Sequence, residues 1–401
     1  MVQDLHRHHA EIWPSKKREL IDWLMRGTQA ERYIDRILVE LCEQLIEKGI
    51  PVARSTLHFR THHPEWLGAR ILWRKGSVEA KITTFDYGVE QTEQFRRSPA
   101  SEIYAGSRFV RKNLRRLAEG SEEYPLYKEL ADEGLTDYAA WPIEHTLGKR
   151  HVLTFASDGP EGFSEDHLAF LTDLIPPITL LSEIRIKNVV ARTLLDTYVG
   201  PKASAEILAG ATRRGTASTI SAAIMICDLR NFTEISSHWD QESVLAILNG
   251  YFDAVTTPIE AHGGEILKFM GDGLLAVFPL NEPKACTNLI CAVREGQSAM
   301  WELNRANSSK GLPHLSYGVG VHVGDVAYGN IGSNRRLDFT VIGPAVNIAS
   351  RLEALTKEVG SPVLVSQAFA DMVDDGCGLS HVGDFRVRGW DAPVSVSALR
   401  V

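Results

Sequence analysis

Lys268 and Asp272 stand four residues apart in Ile266-Leu-Lys-Phe-Met-Gly-Asp-Gly-Leu-Leu-Ala-Val-Phe278, with apolar runs on both sides of Gly271-Asp272-Gly273. Asp-Gly between apolar runs predicts a tight hairpin with the acid at its tip. Forty-four residues upstream, the apolar run Ser221–Cys227 has the length of a buried strand and ends on Asp228. If that strand pairs with the hairpin, the two carboxylates lie side by side. Close carboxylates repel, and one tends to protonate unless a cation sits between them. Mg²⁺ suits such a place, because it takes hard oxygen ligands and completes its shell with substrate phosphates. The pair therefore reads as a two-metal phosphoryl-transfer centre. Further on, Val346, Ala349 and Leu352 share one helical face, while Asn347 and Arg351 share another. An amide and a guanidinium on one face can grip a ribose and a phosphate together. Taken singly, each signal is ordinary: Asp-Gly is a common turn, and Asn with Arg one turn apart is a common solvated face.

Together they are specific. Asp228-x-x-x-Phe-Thr233, Lys268-x-x-Gly-Asp-Gly273 and Val346-Asn-x-Ala-x-Arg-Leu-Glu353 occur in the order and spacing of the class III nucleotidyl cyclases, whose catalytic domain residues 215–400 resemble. The resemblance implies that Asp228 and Asp272, with the Leu229 carbonyl, hold two Mg²⁺ or Mn²⁺ ions. It also implies that Lys268 and Thr340 recognise the base, Asn347 orients the ribose, and Arg351 serves the transition state. Backbone N–H groups of Asn231, Phe232 and Thr233 then fall near the terminal phosphates, and Arg336 and Arg388 are further phosphate candidates. Many members carry aspartate where this chain has Thr340; threonine resembles a bacterial, bicarbonate-responsive subgroup. Lysine with threonine fits adenine, since Lys268 can donate to ring N1 and the hydroxyl can accept from N6. ATP is therefore expected over GTP, with 3′,5′-cyclic AMP and pyrophosphate as products. The family splits these residues between two subunits, so a chain bearing both sets implies a homodimer with composite sites. The alternatives are a guanylate cyclase and a non-catalytic ATP-binding signalling protein. A diguanylate cyclase is excluded, because no Gly-Gly-Asp/Glu-Glu-Phe signature is present.

Composition narrows the setting. Hydrophobic content of 44%, charged content of 23% and a net charge of −8 describe a water-soluble protein with no electrostatic reason to bind nucleic acid. Five scattered cysteines suit a reducing compartment. No membrane span and no signal peptide are read from the chain; Leu168–Ile184 is interrupted by Asp173 and Pro176-Pro177. A cytoplasmic location is expected.

The supporting elements divide into a polar lead-in (1–27), a sensor domain (28–177), a helical linker and junction (178–217) and the catalytic domain (218–401). The fold class is α+β. The first domain reads as a helix, several antiparallel strands and a closing helix from Ser164 to Leu174, a pattern resembling a GAF domain and implying a small-molecule ligand. Residues 178–199 keep helical spacing at Leu180, Ile184, Val189 or Val190, Leu194 and Val199, as for a parallel coiled-coil connector. The His6-His8-His9 and His58-His62-His63 groups read as solvated surface. The catalytic half reads strand–helix–strand–strand–helix–strand, a ferredoxin-like palm. Its central strands are placed at 315–323 and 324–331, separated by a turn.

Overall fold

The computed structural model describes residues 13–61, 66–116, 124–386 and 392–400. His6, His8, His9, His62, His63 and Arg388 lie outside them. The chain divides into two compact units, residues 1–194 and 195–401. Among the described residues no helix is long and apolar enough to cross a membrane.

The first unit is built on a six-stranded antiparallel sheet: β1 (Val52–Arg60), β2 (Gly68–Arg74), β3 (Lys81–Phe85), β4 (Val110–Asn113), β5 (Asp137–Glu144) and β6 (Arg150–Ser157), in the order β3-β2-β1-β6-β5-β4. Alternation along β1 sends Leu57 to one face, where Ile71, Trp73, Leu153 and Phe155 join residues of the helix Ile34–Glu47 in a core. Arg54, Thr56, His58 and Arg60 take the other face.

One helix, Glu165–Val199, runs without interruption through Pro176 and Pro177, where the sequence suggested an end at Leu174 and a separate linker helix from 178. Each proline removes one backbone donor and crowds the preceding turn, a cost of about 3 kcal/mol in a free helix. Packing outweighs it: Leu171, Leu174, Ile178 and Ile186 are all buried along the same side. Leu180 and Ile184 are 55% and 53% exposed, and the buried positions from 178 onward are Ile178, Ser182, Glu183 and Ile186.

Among the described residues the second unit has eight strands: β7 (Ala217–Leu229), β8 (Glu265–Met270), β9 (Gly273–Pro279), β10 (Tyr317–Gly332), β11 (Leu337–Ile342), β12 (Val363–Ser366), β13 (Leu379–Phe385) and β14 (Val394–Leu399). The order is β13-β14-β12-β10-β7-β9-β8, with β11 paired to β10. β10 is one continuous 16-residue strand, not two strands and a turn. Its glycines favoured a break in the sequence reading, but Gly324 and the residues around it pair with β7 throughout, Gly318 to Asp228 at one end and Gly329 to Ala217 at the other. Helices Gln241–Ala261 and Ala285–Ser309 cover the face bearing Met225, Cys227, Leu274 and Phe278. The helix Pro344–Val359 covers the opposite face, over Ala222, Ile224, Ile226 and Val277. It lies close because Gly320 has no side chain: a Cβ there would come within 2.2 Å of the Ala349 carbonyl and the Glu353 nitrogen.

Candidate active site

β7, β9 and β10 run side by side, and their ends assemble the acidic pair. Asp228 on β7 pairs across to Gly273 on β9 and to Gly318 on β10. The β8–β9 hairpin closes through a two-residue turn, Gly271-Asp272, with Met270 facing Gly273. Positive φ falls on Gly271 (71°), the first turn residue, and not at the Asp-Gly step that the sequence suggested. Gly273 is already in the strand and serves another purpose. A Cβ there would approach Asp228 Oδ1 at 2.9 Å, so glycine clears the ground beneath that carboxylate. The Leu229 N–H donates to the Asp272 carbonyl at 3.3 Å, tying the strand end to the hairpin tip.

Asp272 acts on Asp228. The Asp228 carboxyl is held above the usual range, first by burial and next by the charge of Asp272, with Lys357 and Arg230 opposing. An oxygen-only set of two interacting carboxylates and the neighbouring Leu229 main chain is what a hard divalent cation takes, so the residues fit the expected metal.

Behind this pair lies a network that the motifs did not announce. Arg230 pairs with Glu353 at 3.1 Å and also donates to Thr356, both on the helix Pro344–Val359. The Glu353 carboxyl is raised by burial, with Arg230 opposing. Asn231 is in the left-handed region (φ 57°) and caps the short helix Phe232–His238. It is one of two described non-glycine residues with positive φ, a conformation that asparagine tolerates better than most. Its placement lets the first-turn N–H groups of Phe232 and Thr233 begin a helix directly beyond the Asp228 strand.

Lys268 lies on β8. Its Nζ donates to Asp338 Oδ2 at 2.8 Å, and Arg336 stands 3.9 Å from the same carboxylate. Asp338 and Thr340 are two residues apart on β11 and so share a face, a period-two signal that was available in the sequence. Asn347 and Arg351 are exposed on the helix Pro344–Val359. Within one copy, the charges bearing on Asp228 are Asp272, Lys357 and Arg230, and Arg351 is not among them. One chain thus brings together Asp228, Leu229, Asp272 and the Asn231–Thr233 turn. Lys268 and Asp338 form a separate pair, and Asn347 and Arg351 face outward.

The sequence profile of the adenylate and guanylate cyclase catalytic domain matches residues 216–397. This half of the chain is a cyclase catalytic domain. Its similarity extends to an adenylate cyclase of Anabaena cylindrica, 36% identical over 161 residues, covering 38% of this chain and 31% of that protein. Adenylate cyclase 1 of Rhizobium meliloti is 31% identical over 167 residues, covering 41% of this chain and 25% of that protein. The chain therefore spans about a third or less of these curated relatives. Among solved structures, the guanylyl cyclase Cya2 is 30% identical, covering 46% of this chain and 93% of that one, with a TM-score of 0.42.

Proposed function

We propose that the chain is an adenylate cyclase, making 3′,5′-cyclic AMP and pyrophosphate from ATP, with its cyclase domain regulated by the GAF-like N-terminal unit. The observation that carries this reading is the pairing of Asp228 on β7 with Gly273 on β9, beside Asp272, with the Asp228 carboxyl raised first by burial and next by the charge of Asp272. Asp228, Asp272 and the Leu229 carbonyl would hold two Mg²⁺ or Mn²⁺ ions. Bound there, the ions supply positive charge to the phosphates and acidify the attacking ribose hydroxyl. Lys268 and Thr340 would read the adenine edge, with Asp338 holding the lysine in place when no base is present. Asn347 orients the ribose, and Arg351 meets charge developing on the α-phosphoryl oxygens. The N–H groups of Asn231, Phe232 and Thr233 suit the terminal phosphates.

The outward direction of Asn347 and Arg351 supports a homodimer in which each copy lends these residues to its partner's aspartates. The exposed Leu180 and Ile184 would be covered by the same helix of the second copy. The deciding experiment mixes an inactive Asp272→Ala chain with an inactive Arg351→Ala chain and assays ATP and GTP in parallel. Partial recovery with ATP is expected, because a mixed dimer retains one intact site. No recovery sinks the shared site; recovery with GTP alone makes the protein a guanylate cyclase. If the parent chain gives no cyclic nucleotide from either substrate with Mn²⁺, it is a non-catalytic nucleotide-binding protein.

A further inference from the structure

The N-terminal unit encloses a cavity of about 240 Å³ between the Arg54-Thr56-His58-Arg60 face of β1 and the segment 89–104 with residues 125–129. Its floor is cationic, which is unusual for a sheet face under a cover. Arg54 is 7% exposed, and its Nε has no hydrogen-bond partner among the described residues. Arg70, on β2 directly across from His58, also has a buried Nε without a partner. Arg60, by contrast, is held by Glu90 at 2.9 Å and lies 4.1 Å over the Tyr104 ring. Two arginines are thus kept desolvated and only partly paired while a third is tied to the wall. Burial also pushes the His58 imidazole down to about 3, so it sits there neutral, as an acceptor or donor without charge. Phe85, Phe95 and Tyr138 supply flat apolar lining.

We propose that this cavity is a binding site for a small organic anion, one carboxylate or phosphate on a flat apolar body, with Arg54 and Arg70 gripping the anionic group. The guanidinium fork matches both oxyanions, and a buried one gains most from a charged partner. The aromatic lining takes the body of the ligand. The volume lies just under the usual range for ligand pockets, which sets the size at a single-ring molecule. Such a floor holds only partly paired charge at the cost of stability, Glu133 acting on Arg54 and Glu129 on Arg70, and a bound anion offsets that cost.

Calorimetry and thermal melting on the full chain test it, using benzoate, 4-hydroxybenzoate, phenyl phosphate, inorganic phosphate and, as a neutral control, benzamide. At least one aromatic anion should bind and raise the melting temperature, with benzamide inert. Carboxylate against phosphate is decided by which arm binds more tightly. Arg54→Gln and Arg70→Gln should each weaken binding roughly tenfold or more, since a charge-assisted bond is lost. The same variants should melt at or above the parent temperature without ligand, because a partly paired buried charge has gone. A merely structural arginine would show the reverse, a lower melting temperature with binding unchanged. The site is refuted if no aromatic anion binds more tightly than benzamide, or if both variants bind like the parent. It is also refuted if only inorganic phosphate binds, and equally in parent and variants. Binding is read without any turnover, so failure here and failure of the cyclase reading appear in different assays.

Discussion

Charge is handled in opposite ways at the two sites. In the cyclase domain the acids stand at strand ends and a hairpin tip, half-exposed, and the sheet behind them is apolar on both faces. In the N-terminal unit the arginines stand in mid-strand and are covered by a later stretch of chain. An edge site leaves stability nearly indifferent to its charged residues, so they are free to serve chemistry. A covered site links the charged residues to stability, and any ligand that pairs them changes both. The contrast yields an ordered set of expectations.

The largest effect belongs to the edge. Asp228→Ala or Asp272→Ala should lower kcat by on the order of 10²-fold or more, since contacts that strengthen in the transition state are lost. Melting of the free protein should be unchanged or slightly improved, because each substitution relieves a carboxylate repulsion. A variant inactive because it is unfolded would erase the contrast.

Next comes the backing of the edge. Gly320→Ala places a methyl group 2.2 Å from backbone atoms of Ala349 and Glu353, and backbone cannot swing aside. The helix Pro344–Val359 must lift, at about 1–3 kcal/mol. It carries Asn347 and Arg351, so activity should fall together with the melting temperature. A variant of parental stability would show that the helix is not seated as described. Smaller again is Asp338→Asn, which releases Lys268 from its carboxylate. We expect a change of roughly tenfold or less in KM for ATP with kcat nearly kept, the pattern of altered ground-state binding. A collapse of kcat would instead place Asp338 in the reaction itself.

The sequence made these two regions unequally legible. Asp228, Lys268, Asp272, Asn347 and Arg351 are readable because their spacing repeats a pattern and their strands and helix follow from apolar periodicity. Asp338 was legible in principle from its alternation with Thr340, yet the base-facing role drew attention to the threonine alone. The continuity of β10 was obscured by its glycines, which read as a turn and serve close helix packing. Pro176-Pro177 misled in the same way, since propensity is local and the burial of Leu174 and Ile178 is not. The arginine-floored cavity was hidden for a deeper reason. Arg54, Thr56, His58 and Arg60 alternate with Ser55, Leu57 and Phe59 much as any half-solvated strand does, and only the distant segment 89–104 turns that polar face into an interior.

The smallest predicted effect separates the two units by acid. His151 is 1% exposed, its Nδ1 accepts from the Arg60 N–H at 3.1 Å, and burial pushes its pKa down to about 3. His58 is lowered to about 3 as well. Both are neutral in the folded unit and take up a proton on unfolding below about 6.5. Their contribution is complete above that pH and drains away as the pH falls from 6.5 towards 3. In the cyclase domain His322, lowered by burial to about 4, shares their sign, whereas Asp228, Glu265 and Glu353 are raised, each first by burial, and have the opposite sign. Their contribution is complete below the ordinary carboxylate range and is lost as the pH rises through their elevated values. Acidification from pH 7 to 5 should therefore weaken the N-terminal unit more than the cyclase domain, where three raised carboxyls oppose the one lowered histidine. Amide hydrogen exchange followed at both pH values resolves the two units separately. His151→Gln, which keeps an acceptor but cannot charge, should flatten the N-terminal loss by part of its size and leave the cyclase domain untouched. Parallel weakening of both units, or a His151→Gln chain as acid-sensitive as the parent, would mean that these buried groups do not set the response.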